Sequence, residues 1–254
     1  MPKVSVLLPV YNGEKYLPKS IQSVLIQSFA DLEVLILNDG STDNSLKIIN
    51  QFAVLDKRIK AIDFKKHIGL VRILNEGIKK AQGLYLARID SDDEWSDVDK
   101  IKKQVEFMEK NPDYALVGTN ALVINEKGDI VGKIVYPEKD EAIRRKILIK
   151  NQFLHSSVMF RGKVAKKCCS YNQEENYVED YGLWLRIGQY YKFANLPFYG
   201  LKYRLNPQGE TATKNRQQVI NSFKLVKKFK NKYPNFILAC VKWILRYFKT
   251  FFRI

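Results

Sequence analysis

Four carboxylates occupy five consecutive positions of this 254-residue chain: Asp90, Asp92, Asp93 and Glu94, with Ser91 among them. An apolar run, residues 84–89, leads into them and reads as a buried strand. Two carboxylates about 5 Å apart repel by roughly 3 kcal/mol at an effective dielectric near ~20. A chain relieves this by splaying them into water, by protonating some, or by binding a cation. Oxygen ligands at the C-terminal end of a strand suit Mg2+ or Mn2+, above all where phosphates complete the shell. A solvated acidic turn before a helix is the plainer alternative. A second acidic pair, Glu179 and Asp180, opens a later helical stretch that also carries Tyr181 and Trp184. Acids stand at helix N-termini routinely, simply to meet the dipole.

The elements that must position these residues follow from the periodicity. Residues 3–9, 32–37, 59–64 and 84–89 read as buried strands, and 14–27, 45–55 and 69–81 as helices between them. Strict alternation of this kind is the βαβ pattern of an open, doubly wound, mostly parallel sheet with helices on both faces. Ligands bind such sheets beyond the C-terminal strand ends. Three polar turns fall there: Pro9 to Asn12, Asn38-Asp39-Gly40, and the acidic cluster. No G-x-G-x-x-G follows the first strand and no phosphate-loop motif occurs, which disfavours a dinucleotide or P-loop site. Arg72, in the first turn of the third helix, and Arg88 are cations near the expected crevice. Further on, Ser96 and Asp99 suggest a capping box for a helix over 97–111. Strands are expected at 114–118, 121–125, 130–136, 155–160, 192–196 and 199–205, with helices at 139–150 and from 177. His155 opens the 155–160 run, where it can touch a ligand or merely pack. His67 lies in a basic loop.

Charge is uneven along the chain. The net charge is +16, and eleven of the 43 Lys and Arg but none of the 27 acids lie in 211–254, so the first 210 residues carry only +5. Three cysteines, Cys168, Cys169 and Cys240, without metal-ligand spacing and with only two histidines, argue against a disulfide framework and a structural zinc. No apolar run reaches the roughly 18–20 residues of a membrane span, and the N-terminus enters a strand without the segments of a signal peptide.

Three segments, taken together, resemble family 2 glycosyltransferases of the GT-A fold: Val4 to Asn12, Leu35 to Asp43, and Ala87 to Asp93. Their order and separations match over roughly residues 3–210, and Glu179 to Trp184 is similar to the family's E-D-x-x-x-W segment. The resemblance implies an inverting, metal-dependent transfer of a sugar from a nucleotide-sugar, a UDP-sugar above all, to an acceptor hydroxyl. It implies Mn2+ or Mg2+ at the Asp90, Asp92 and Asp93 cluster, with the division of labour among them open. Asp39 would meet the base, and Pro9, Tyr11 and Glu14 would line the same pocket. Arg72, Arg88, Asp90, Ser91 and Asp92 would face the nucleotide-sugar, although many relatives carry the arginine nearer the position of Leu74. Asp180 would be the base, with Glu179 the alternative. His155, Trp184 and Arg204 would lie toward the acceptor or the diphosphate.

The expected organisation is a glycosyltransferase domain over 1–210, divided into a nucleotide-sugar half (1–94) and an acceptor half (95–210), and a helical tail over 211–254. In the tail Lys242, Arg246, Lys249 and Arg253 fall on one helical stripe, with aromatic and aliphatic residues around it. Such a helix suits an anionic membrane surface, at about 1 kcal/mol per basic residue. Packing on the domain, or a homodimer contact, is the alternative, and nucleic acid is not expected. The expected setting is cytoplasmic, peripheral on the inner face of the cell membrane, with a glycan or lipid-linked acceptor. Two rivals are a sugar-1-phosphate nucleotidyltransferase, which needs a glycine-rich basic loop after the first strand that Tyr11-Asn12-Gly13-Glu14 does not supply, and a non-catalytic membrane scaffold.

Overall fold

The computed structural model describes residues 1–168 and 170–251, so Cys169, Phe252, Arg253 and Ile254 lie outside the described residues. The first half alternates as expected: β1 (Val4–Val10), α1 (Leu17–Leu25), β2 (Leu32–Asp39), α2 (Ser45–Leu55), β3 (Ile59–Phe64), α3 (Leu70–Lys80) and β4 (Tyr85–Arg88). β1 pairs in parallel with both β2 and β4, and β2 with β3. The second half adds β5 (Glu94–Trp95), α4 (Lys100–Lys110), β6 (Tyr114–Ile124), β7 (Ile130–Ile134), α5 (Asp140–Ile147), a 3-10 turn at His155–Ser157, and β8 (Met159–Arg161). α6 (Gly162–Lys167), α7 (Glu179–Ile187), β9 (Lys192–Arg204), α8 (Glu210–Thr213), α9 (Asn215–Lys228) and α10 (Phe236–Lys249) complete it. The strands form one sheet in the order β3-β2-β1-β4-β8-β6-β9-β5, with β7 paired to β6.

Period-two burial explains the two layers. Every residue of β1 is buried. Val4, Val6, Leu8 and Val10 join one core with Ile21 and Val24 of α1 and Ile101 and Val105 of α4. Leu7 points the other way, into a core with Leu74 and Ile78 of α3 and Leu183 and Trp184 of α7. A strand buried on both faces needs no polar alternation, and its sequence shows none.

Three expectations are corrected. The strands expected at 114–118 and 121–125 are one strand, β6, and those at 192–196 and 199–205 are β9. Thr119 and Asn120 pair with Leu196 and Tyr199, so Pro197 and Phe198 are accommodated by a bulge rather than ending the strand. The capping box does not form: α4 starts at Lys100, and the Ser96 hydroxyl donates to Tyr199 O at 2.7 Å instead. His155 stands in the 3-10 turn and not in a strand.

The C-terminal helices pack on the domain. Val219, Val226, Phe229, Tyr233, Ala239 and Trp243 belong to the α7-side core. Tyr233 Oη donates to Leu185 O at 2.7 Å and Trp243 Nε1 to Leu148 O at 2.7 Å. The expected basic stripe is also corrected. Lys242 and Lys249 face outward, whereas Arg246 turns inward and donates to Ile149 O at 2.7 Å.

Candidate functional site

β2, β1 and β4 end side by side at one edge of the sheet, with Val10 opposite Asn38 and Leu7 opposite Arg88. Their following turns therefore share a crevice, a cavity of about 1070 Å3. Of the residues expected at the site, Pro9, Tyr11, Asp39, Asp90, Ser91, Asp92, Asp93, His155, Glu179, Asp180 and Arg204 line it. Glu14, Arg72, Arg88 and Trp184 do not. Glu14 is exposed and its Oε2 accepts from the backbone and side-chain N–H of Asn44 at 2.9 and 2.8 Å. Arg72 is exposed beside Gln173. Trp184 is wholly buried against Phe153 and Phe160.

At one end of the cavity Asp39 is already engaged. Its Oδ1 accepts from Ile68 N–H at 2.7 Å, and its Oδ2 from Gly69 N–H at 3.0 Å and His67 Nδ1 at 2.9 Å. The loop can come this close because residue 40 is glycine: its φ is +65°, and a Cβ there would lie 2.6 Å from His67 N. The Tyr11 ring stacks on His67, centroids 4.0 Å apart. His67 is thus a site residue that the sequence reading undervalued.

Arg88 lies beneath the acidic turn. It is fully buried on the α7 side of β4, and it pairs with Asp90 Oδ1 while also donating to Ile89 O. Ser156 Oγ donates to the other oxygen of Asp90 at 2.8 Å and accepts from Asp90 N–H at 3.0 Å. Burial alone would raise the Asp90 carboxyl, but Arg88 and Ser156 outweigh it and hold Asp90 below the ordinary carboxylate value. Asp90 is therefore compensated by the protein while still lining the cavity.

Asp92 and Asp93 are not so compensated. Burial and then repulsion from Asp90 raise Asp92, and burial with repulsion from Asp92 and Asp90 raises Asp93 well above the usual range. The turn is held by Arg204, which is 2% exposed. Its backbone N–H donates to Asp93 Oδ1 at 2.9 Å, its Nε to Asp92 O at 2.8 Å, its Nη1 to Asn125 O at 3.0 Å, and its Nη2 pairs with Glu94. Arg204 is a clamp on the turn, and it lines the cavity as well. Asn206 Nδ2 donates to Asp92 Oδ2 at 3.0 Å.

Among the described residues no three His, Cys, Asp or Glu side chains form a ready-made metal cluster. The chemistry of Asp92 and Asp93 still fits a hard divalent ion. Two acids raised by burial and mutual repulsion gain from a cation, and Mg2+ or Mn2+ commonly takes one or two carboxylates with the remaining ligands from phosphates and water.

Asp180 stands across the cavity, in the first turn of α7. Its Oδ2 accepts from Asn151 Nδ2 at 3.0 Å and its Oδ1 from Tyr181 N–H at 2.6 Å. Burial pushes it up to about 6 despite these donors. A carboxylate near 6 is matched to taking a proton near neutrality. His155 shares a 2.8 Å hydrogen bond with the Tyr171 hydroxyl, and burial followed by the Arg88 charge keeps it well below the ordinary histidine value, a neutral imidazole. Ser156, Asn206 and Asn151, which fix these acids, escaped the sequence reading, for single polar residues on loops carry no periodic signal.

The family model described as "Glycosyl transferase family 2" matches residues 5–167. The O-antigen biosynthesis glycosyltransferase WbnJ of Escherichia coli is 34% identical over 190 residues, covering 72% of this chain and 71% of that protein. TarS of S. aureus in complex with UDP-GlcNAc superimposes with a TM-score of 0.73 at 18% identity, over 97% of this chain and 73% of that one. The mannosyltransferase PcManGT of Pyrobaculum calidifontis, in complex with GDP-Man and Mn2+, gives 0.72 at 15% identity over 96% and 74%. The fold is that of GT-A type glycosyltransferases, and the nucleotidyltransferase and scaffold readings give way. By its motifs, its fold and this match over more than half its length, the chain belongs to glycosyltransferase family 2 and is a glycosyltransferase.

Proposed function

We propose that this enzyme transfers a sugar from a UDP-sugar to an acceptor hydroxyl with inversion, in the synthesis of a cell-surface glycan. The observation that carries the proposal is the shared cavity: a carboxyl raised to about 6, Asp180, lines the same 1070 Å3 space as the acidic turn. Asp180 takes the proton of the acceptor hydroxyl, and Asn151 holds its carboxylate in place. Tyr11, His67 and Asp39 receive the base of the nucleotide. Asp92 and Asp93 hold Mn2+ or Mg2+ at the diphosphate, where the ion offsets the charge that develops on the leaving group. Arg88, Ser156 and Arg204 keep the acids of that turn in place.

A UDP-sugar complex of TarS and the Mn2+ of PcManGT, both of the same fold, support the donor class and the ion. The O-antigen relative supports the pathway. In this reading residues 1–94 serve the donor and 95–210 the acceptor, with Trp243 and Arg246 of the tail also lining the cavity. No helix among the described residues is long and apolar enough to cross a membrane. α10 nevertheless turns Ile237, Val241, Ile244, Leu245 and Phe248 outward, each at least 44% exposed, beside Lys242 and Lys249. That face supports attachment to the inner, anionic surface of a membrane.

Thermal unfolding with nucleotides tests the donor site. A ligand at a hundred times its Kd stabilises by about 2.7 kcal/mol. UDP and one UDP-sugar should raise the midpoint with Mn2+ present and much less without it. A midpoint unmoved by any nucleotide under either condition would overturn the donor assignment.

A further inference from the structure

The far end of the cavity carries positive charge that the transfer described above does not use. Lys150 and Arg246 both line it, together with Trp243 and Asn151. Lys150 stands at the rim, exposed, directly before the asparagine that holds Asp180. Arg246 reaches in from α10, its guanidinium 4.5 Å from the Trp243 ring centroid and one nitrogen donating to Ile149 O. Partial burial and then the Arg246 charge hold Lys150 below the ordinary lysine value, and burial lowers Arg246. Among the described residues neither forms an ion pair with a carboxylate, whereas Lys15 and Arg204, which line the same cavity, pair with Glu126 and Glu94. Two neighbouring cations facing one space, neither paired with a carboxylate among the described residues, disfavour each other, and an anion between them removes that cost.

We propose that Lys150 and Arg246 form an anion subsite that holds a phosphate or carboxylate of the acceptor beside Asp180. The proposal rests on the assignment of Asp180 to the acceptor end. The guanidinium offers the forked donors that planar oxyanions match, and the lysine adds a point charge. The subsite also gives the C-terminal helices a task at the reaction centre, since α10 contributes Trp243 and Arg246 to the cavity wall. The same helix turns its apolar face outward, so a lipid phosphate lying against it and an acidic sugar free in solution are both reachable sources of the anion.

The experiment uses the full chain with UDP and Mn2+ saturating the donor end, and titrates four probes: glucose 6-phosphate, glucose, farnesyl phosphate and farnesol. Each phosphate should bind more tightly than its neutral counterpart. Lys150→Gln and Arg246→Gln should each weaken the phosphate by about tenfold or more, the loss expected for one charged hydrogen bond, and should leave UDP affinity unchanged. Farnesyl phosphate binding alone would make the acceptor lipid-linked, and glucose 6-phosphate binding alone would make it an acidic glycan; both outcomes support the subsite. Among the described residues Lys150 makes no side-chain hydrogen bond, so Lys150→Gln keeps the fold even if Arg246→Gln does not. Phosphate probes that bind no better than the neutral ones, or that bind Lys150→Gln as tightly as the wild type, would overturn the proposal. A fall in UDP affinity in these variants would overturn it too, by giving the pair to the donor diphosphate. If UDP fails to bind the wild type, the donor reading falls separately, and the same titrations without UDP still decide the subsite.

Discussion

At the scale of single residues, environment separates carboxylates of like chemistry into different roles. Asp90 is paired from below, Asp92 and Asp93 are raised by burial and by repulsion from neighbouring aspartates, and Asp180 is raised by burial to about 6. Activity should follow the Asp180 carboxylate: kcat/KM rises with pH through about 6 and then levels, which a pH profile at saturating Mn2+ reads. Stability runs the other way for this group. A carboxyl whose folded value exceeds its unfolded one contributes stability below the unfolded value near 3.8, and that contribution is lost as pH rises through about 6. Asp180→Asn should therefore stabilise the protein at pH 7.5 relative to wild type more than at pH 4.5, as denaturant midpoints will show. Arg88 is the converse case. Arg88→Met removes the partner of Asp90, and breaking a buried pair costs about 3–5 kcal/mol. Asp90 is 36% exposed, so the low end of that range is expected from urea unfolding.

At the scale of elements, the site depends on close approaches between loops. Gly40 is the clearest case, since the 66–67 backbone crosses directly over it. Gly40→Ala should cost about 1–3 kcal/mol through its left-handed backbone and the clash, and it should weaken UDP binding several-fold by displacing His67 from Asp39 and Tyr11. UDP affinity equal to wild type would remove the 67–69 loop from the base pocket. Much of this layer was legible in the sequence. α2 and β3 lie at residues 45–55 and 59–64 as read from their periodicity, because each is bounded by polar turn residues that leave one choice of register. β6 and β9 were read as broken, because Gly118 to Asn120 and Pro197 signal turns locally. Ten residue pairs between these strands, in parallel, hold them as single strands through a bulge. Long-range pairing of that kind has no local signature. The same holds within the site. The acidic turn and Asp180 were visible as motifs, whereas the loop of His67, the clamp of Arg204 and the burial of Arg88 depend on which chain segments meet.

At the scale of the whole molecule, the C-terminal helices are part of the enzyme's body as well as its charged end. Trp243 is 7% exposed, bonded to Leu148 O, and set against the cavity. Trp243→Ala should destabilise by about 3–5 kcal/mol, measured by denaturant unfolding. Ile244, one residue along, is 44% exposed. Ile244→Ser combined with Phe248→Ser should leave that stability within about 0.5 kcal/mol yet reduce flotation with phosphatidylglycerol vesicles. Unchanged flotation would detach the outward face of α10 from any lipid role. The excess of charge in 211–254 thus divides between the two faces: Arg246 enters the cavity while Lys242 and Lys249 remain outside.

The most direct measurement compares Asp180→Asn with the wild-type enzyme in two assays on the same preparation: sugar transfer from the UDP-sugar that stabilises the protein most, and binding of that donor with Mn2+. Loss of a general base costs about 10²- to 10⁴-fold in rate, so transfer should collapse by that factor while donor affinity stays within about twofold. Transfer at the wild-type rate would contradict Asp180 as the base, and an equal loss of donor affinity would place it on the donor and not on the acceptor.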